Sequence, residues 1–201
     1  MTLNVQIPTS EIEALLAGVD GKAEIVNGEL VIMSPTGSGP GFAGDEIFFS
    51  LREYARKTRS GYAVGDGKAF VVDLPNRRSF SPDAAFYTKE IDRARLMKFY
   101  EGAPIFAVEV RSENDYGRAA ESAIAMKRAE YFAAGTLVVW DVDTRGAEVV
   151  RSYHADAQNE PTIFRRGDTA HAEPAVPGWV MQVDDIFIPF LKTDDDPSAG
   201  I

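Results

Sequence analysis

The chain has 201 residues, and 45% of them are apolar, which is enough for one globular domain with a buried core. It has no cysteine and only two histidines, so disulfide frameworks, thiol chemistry and histidine-rich metal sites are excluded. The formal net charge of −10 argues against strong nonspecific binding of nucleic acid. No apolar run approaches the roughly 18 residues of a membrane span, and no secretory pattern is present at the start. We therefore expect a cytoplasmic protein without a membrane partner.

The first sixty residues predict a helix, a hairpin and a second helix. Asn27-Gly28 stands between two β-prone runs, which is the strongest short signal for a β-hairpin. The stretch 34–41 is rich in Gly, Pro and Ser and is predicted to be a loop. The predicted elements are a capped helix over 10–17, strands over 23–26 and 29–33, and an amphipathic helix over about 42–58.

Strands dominate the predicted pattern after residue 60. Residues 104–110 form a nearly continuous apolar run of strand length, which is typical of a strand covered on both faces. A helix is predicted over about 117–134 and is ended by Gly135. Further strands are predicted over 62–64, 68–72, 83–88, 137–142 and 148–153.

This order of elements predicts an α/β (α+β) fold, in which a mixed central β-sheet is flanked by helices and preceded by an N-terminal hairpin. Residues 1–192 are predicted to form a single domain. Residues 193–201 are predicted to be an acidic, disordered tail.

Three charged residues stand where the surrounding pattern calls for apolar ones. Glu109 shares one face of the predicted strand 104–110 with Ile105 and Ala107. Lys127 falls in the middle of the apolar stripe of the predicted helix 117–134. Asp83 follows Pro82 at the mouth of a predicted strand.

Each of these charges alone has a simple structural explanation, such as a buried ion pair between Lys127 and Glu109. Together they favour a site, because Asp83 and Glu109 lie on strands that could be neighbours and Lys127 lies on the next helix. Two carboxylates and a desolvated ammonium at one point are a costly arrangement for structure alone.

Two of these residues lie in motifs that resemble the PD-(D/E)xK nuclease superfamily. The motifs are Ser81-Pro82-Asp83 and Val108-Glu109-Val110-Arg111-Ser112. Around them a longer ordered series resembles a bacterial restriction-endonuclease family with the restriction-endonuclease-like fold. The series comprises Glu24–Leu30, Met33–Pro35, Lys127–Tyr131, Ala134-Gly135, Trp140–Asp143, Pro177–Trp179 and Asp185–Phe187.

The resemblance implies a metal-dependent endonuclease that hydrolyses DNA phosphodiester bonds. Asp83 and Glu109 would be the ligands of Mg²⁺, with Mn²⁺ as a substitute, since hard cations bind oxygen and polarise phosphate. Lys127 would be the third catalytic residue, orienting or deprotonating the attacking water. A further acid often joins such sites from an early element, and both Glu24 and Glu46 are candidates.

The sequence departs from the family pattern at two points. Arg111 occupies the lysine position two residues after Glu109. The resemblance implies that the family's working lysine lies on the following helix, here at Lys127. A histidine common after the Ser-Pro loop is absent, since residues 39–42 read Gly-Pro-Gly-Phe. An alternative function is therefore a catalytically degenerate nuclease-fold domain that acts as a binding or structural module.

The predicted partners are DNA and a second copy of the chain. A homodimer would supply two sites for two strands. Arg52, Arg56 and Arg59 form a basic stripe on the helix 42–58. This stripe could contact backbone phosphates or simply be the solvated side of the helix.

Overall fold

A computed structural model describes residues 8–189, and the predicted acidic tail lies outside this range. Within it, the fold is built on three α-helices, each of which matches a helix predicted from the sequence. Their bounds are α1 Thr9–Ala17, α2 Ser38–Thr58 and α3 Arg118–Ala133. No helix in the described range is long and apolar enough to cross a membrane.

A six-stranded mixed sheet forms the centre of the fold. Its strands are β3 Tyr62–Gly65, β6 Ala84–Tyr87, β8 Phe106–Val110, β9 Val138–Val142, β10 Val150–His154 and β11 Ala157–Phe164. Their order across the sheet is β11-β10-β9-β8-β6-β3. The pair β8 and β9 is parallel, with α3 in the crossover between them, whereas the other neighbours are antiparallel.

Seven further strands form three small sheets beside the central one. They are β1 Ala23–Val26, β2 Glu29–Ile32, β4 Phe70–Val71, β5 Ser79–Phe80, β7 Tyr100–Glu101, β12 Thr169–His171 and β13 Val180–Gln182. The sheets are β1-β2, β5-β4-β7 and β12-β13. Short 3-10 helices span Arg93–Arg95 and Val183–Ile186.

The predicted hairpin is confirmed as β1 and β2. Asn27 has a φ of 53° and Gly28 a φ of 79°, the positive pair that a type I′ turn requires and that Asn-Gly adopts readily. The turn brings β2 back antiparallel to β1, with Val26 opposite Glu29. All of β2 is exposed, whereas the first three residues of β1 are buried, so β1 carries the hairpin's contacts with the domain.

The start of α2 differs from the predicted one. The helix begins at Ser38, so part of the predicted loop 34–41 is its first turn. Pro40 is tolerated there because the first N–H groups of a helix have no partner within it. From this start, α2 buries Ile47 and Leu51 completely against the central sheet.

Apolar side chains cover both faces of the central sheet, which confirms the predicted sheet flanked by helices. On one face, α2 packs over Phe106 and Trp140, with Trp179 beside them. On the other face, α3 packs with Tyr131 and Phe132. Helix α3 stops as predicted, because Gly135 has a φ of 99°, which ends helices readily.

Candidate active site

Asp83 and Glu109 lie on adjacent strands of the central sheet. In the antiparallel pair β6 and β8, Ala84 faces Val108, and continuing this register by one residue brings Asp83 opposite Glu109. The Val110 N–H donates to Asp83 Oδ2 at 2.7 Å, which fixes the carboxylate against β8. The side chain of Asp83 is 15% exposed and that of Glu109 is 25% exposed, so a small ligand can reach both.

Helix α3 places two donors on the Glu109 carboxylate. Lys127 Nζ donates to Glu109 Oε2 at 2.8 Å, and the Tyr131 hydroxyl donates to Oε1 at 2.6 Å. Residues four apart lie on the same face of a helix, so one face of α3 supplies both donors. The ion pair that the sequence offered as a structural explanation is therefore present, and it lies at the predicted site.

Glu24 on β1 is the early acid that reaches this cluster. Its Oε1 lies 2.9 Å from Lys127 Nζ and accepts the Ser81 N–H at 2.8 Å. Its side chain is 5% exposed. Glu46, the other candidate, is half-buried on α2 and makes none of these contacts.

Arg77 is a buried member of the cluster that the sequence did not reveal. Its guanidinium donates to Glu24 Oε2 and to Glu130 Oε2, each at 2.5 Å, and it lies 5.0 Å from the centre of the Phe80 ring. Phe80 in turn stacks on Tyr131 with ring centres 3.9 Å apart. Both acidic partners are 53 residues away in the chain. In the sequence alone, Arg77 and Arg78 therefore have the pattern of ordinary solvated charges in a turn.

Lys22 is the second cation that the sequence did not reveal. Its Nζ lies 2.6 Å from Asp83 Oδ1 and 2.7 Å from Asp66 Oδ1, and its side chain is 15% exposed. The ammonium therefore bridges two carboxylates at the edge of the site. Beside it lies a cavity of about 130 Å³ lined by Thr36, Pro40, Gly41, Gly44, Asp45, Asp66 and Asp83.

Burial and neighbouring charges shift the ionisation of this cluster. Burial, together with the nearby Asp83 and Glu24 carboxylates, raises the pKa of Glu109 despite the Lys127 ammonium. Although burial opposes it, attraction to Lys127 and Arg77 lowers the pKa of Glu24.

Lys127 itself is held in its charged form. Burial works to lower the pKa of Lys127, but Glu109 and Glu24 outweigh burial and raise that pKa above its ordinary value. The Lys127 side chain is therefore an ammonium, which can donate hydrogen bonds and stabilise negative charge. It cannot accept a proton from water in this state.

The carboxylates of the cluster outnumber its cations. Five acids lie in these contacts with three basic residues, which leaves a formal charge of −2. The acids are Glu24, Asp66, Asp83, Glu109 and Glu130, and the bases are Lys22, Arg77 and Lys127. A divalent cation would neutralise that excess.

The donor set fits a magnesium ion rather than a closed metal cage. Among residues 8–189, no group of three or more His, Asp and Glu side chains is arranged to hold a metal ion. Magnesium keeps several of its waters and is held by one or two carboxylates in many enzymes, which Asp83 and Glu109 can provide.

Arg111, which occupies the lysine position of the motif, is engaged with acidic side chains of β9 and α3. It pairs with Asp141 through two hydrogen bonds of 2.6 and 2.7 Å and also with Glu121. These hydrogen bonds raise the pKa of Arg111 above its ordinary value. Its side chain is 5% exposed, so it has little surface left with which to hold a phosphate.

Comparisons with known proteins agree with this fold. The sequence model of the Uma2 family, described as "Putative restriction endonuclease", matches residues 9–184. A crystal structure described as a putative nuclease belonging to DUF820 from Anabaena variabilis superimposes with a TM-score of 0.67 at 14% identity, over 90% of this chain and 98% of that chain. A search of curated proteins found no match. The chain therefore belongs to the Uma2 family of restriction-endonuclease-like proteins.

Proposed function

We propose that the protein is a magnesium-dependent endonuclease that hydrolyses phosphodiester bonds in DNA. The observation that carries this proposal is the meeting of Asp83 and Glu109 on adjacent strands, with the Lys127 ammonium 2.8 Å from Glu109. The family description, which names restriction endonucleases, supports DNA as the substrate.

Asp83 and Glu109 would hold the metal ion through carboxylate oxygens. When bound, Mg²⁺ supplies an acidified water and neutralises charge on the phosphate. The Val110 N–H holds Asp83 in place, and the Tyr131 hydroxyl does the same for Glu109.

Lys127 would act on the charge that develops during the reaction. An oxygen of water forms a new bond to phosphorus, and the ester bond from phosphorus to the leaving oxygen breaks. The water gives up its proton to solvent, and the leaving oxygen takes one from solvent. The Lys127 ammonium can stabilise the extra negative charge on the phosphate, because it is a fixed donor in a mostly buried site.

The test is nicking of supercoiled plasmid by the purified protein with Mg²⁺ or Mn²⁺. Asp83→Asn and Lys127→Ala should abolish nicking while the far-ultraviolet circular dichroism spectrum is retained. Asp156→Asn is the matched control, because it removes the same charge from an exposed turn between β10 and β11. Equal nicking by all variants would refute the assigned site.

A second candidate function is a binding or structural module that no longer cuts DNA. It is favoured by the pairing of the Glu24, Asp83 and Glu109 carboxylates with protein cations. This function predicts no nicking by the native protein and no Mn²⁺ binding that depends on Asp83.

A further inference from the structure

Four basic residues crowd the last two turns of α2 and its cap. Arg52, Arg56, Lys57 and Arg59 are all exposed, and we call them the α2 basic surface. Arg52 and Arg56 are four residues apart and share the helix face that is turned away from the buried Leu51. Glu53 is the only acid within this eight-residue stretch, which therefore has a formal charge of +3 in a chain of net charge −10.

Within residues 8–189, no acidic side chain forms an ion pair with the cations of the α2 basic surface. Of the twenty basic residues in the described range, ten form ion pairs, and none of these four is among them. Even Glu53, placed four residues before Lys57, makes no ion pair with it. A polyanion could therefore bind here without breaking any existing ion pair.

The same helix connects this surface to the candidate active site. Gly44 on α2 lies so close to Asp83 that an added Cβ would be 3.5 Å from the Asp83 Cβ. At about 1.5 Å of rise per residue, Arg52 lies roughly 12 Å from Gly44 along the axis and Arg56 roughly 18 Å. Each strand of duplex DNA has a phosphate about every 3.4 Å along its axis, so these axial distances are shorter than one helical turn of a duplex. Gly44 itself lies on the buried face of α2, and Arg52 and Arg56 lie on its exposed face.

A basic surface would offset the negative charge of the site towards DNA. The cluster around Asp83 and Glu109 has an excess of negative charge, and the whole chain is acidic, so both repel DNA. Unpaired arginines can bind backbone phosphates and release their counterions, which is the main source of sequence-independent affinity.

We propose that the α2 basic surface binds the phosphate backbone of duplex DNA whose scissile phosphate lies at Asp83 and Glu109. This inference rests on the proposed nuclease function for the position of the DNA. It assigns a role in binding, and not in the chemical step, to Arg52 and Arg56.

The experiment measures binding of a labelled duplex by fluorescence anisotropy, with EDTA present so that no metal-dependent cleavage occurs. The test variant is Arg52→Gln/Arg56→Gln. The matched control is Lys89→Gln/Arg93→Gln, which removes the same charge from two exposed cations that lie outside α2 and form no ion pair within residues 8–189. Circular dichroism would verify that both variants are folded.

The salt dependence of affinity gives the decisive measurement. Loss of two phosphate contacts should make the slope of log K against log salt shallower by about 1.8. The factor by which affinity falls between about 50 and 200 mM salt should therefore be roughly tenfold smaller for the variant than for the native protein. The control variant should keep the native slope. Equal changes in both variants, or none in the Arg52 and Arg56 variant, would overturn this inference and leave the nuclease function standing. No binding of DNA by the native protein would also overturn this inference, and the nicking assay tests the nuclease function separately.

Discussion

Replacing Lys22 by methionine should make the protein bind Mn²⁺ more tightly. The Lys22 ammonium bridges Asp83 and Asp66 at 2.6 and 2.7 Å, so it occupies a carboxylate that the proposed metal needs. Methionine keeps most of the length of the side chain and removes the charge. The substitution therefore frees an oxygen of Asp83 and removes a cation beside the metal.

The size of the effect follows from the geometry. A metal on the Asp83 carboxylate would lie about 4.5 Å from Lys22 Nζ, given a metal–oxygen distance of about 2.1 Å and the observed nitrogen–oxygen contact. Even with a dielectric constant near 80, repulsion between a unit and a double positive charge at that distance costs about 2 kcal/mol. We therefore expect the Kd for Mn²⁺ to fall by about 20-fold or more.

Free Mn²⁺ can be followed by electron paramagnetic resonance during titration of each protein. Lys68→Met is the matched control, because the Lys68 ammonium donates to the backbone carbonyl of Asp66 at 2.7 Å and removing it frees no carboxylate. An unchanged or weaker affinity in Lys22→Met would refute the reasoning. Without metal, Lys22→Met should unfold more easily than the native protein, because Asp83 and Asp66 are left without their shared cation.

Three further substitutions test the site and the core. Lys127→Met should lower the free energy of unfolding by about 3–5 kcal/mol at neutral pH, because it leaves Glu24 and Glu109 without their shared cation. Without Lys127 the pKa of Glu109 would rise further, so the loss should shrink as the pH falls and Glu109 takes up a proton. Urea titrations that show a pH-independent loss would contradict this. Tyr131→Phe should lower the free energy of unfolding by about 1.5–3 kcal/mol and slow plasmid nicking, since Glu109 loses a hydrogen-bond donor at 2.6 Å. An unchanged nicking rate would show that the Tyr131 hydroxyl does not orient Glu109. Trp140→Ala should lower the free energy of unfolding, measured by thermal denaturation, by about 3–5 kcal/mol because the ring is completely buried. A much smaller loss would show that the core repacks.

Local patterns were sufficient for most elements of the fold. The Asn27-Gly28 turn, the strand that carries Glu109 and the helix that carries Lys127 were all predicted, and the structure has them. Each depends on neighbouring residues: a turn on its own dihedral angles, a strand or helix on the period of its apolar residues. The predicted start of α2 was wrong because Pro is favoured in the first turn of a helix as well as in loops.

The sequence also singled out Asp83, Glu109 and Lys127, because each has a charge within an apolar pattern. Only the tertiary structure shows their partners. Glu24 pairs with Lys127, Lys22 pairs with Asp83, and Arg77 pairs with Glu24.

These partners come from the hairpin and from a turn that lie far from the site in the chain. Spacing along the chain therefore cannot predict that they contact the site. The same limit applies to Arg111, whose pairing with Asp141 follows from the parallel register of β8 and β9, in which Glu109 faces Asp141. The residue types of the site were thus determined locally, whereas strand register and helix packing decided which charges meet and which of them remain free to act.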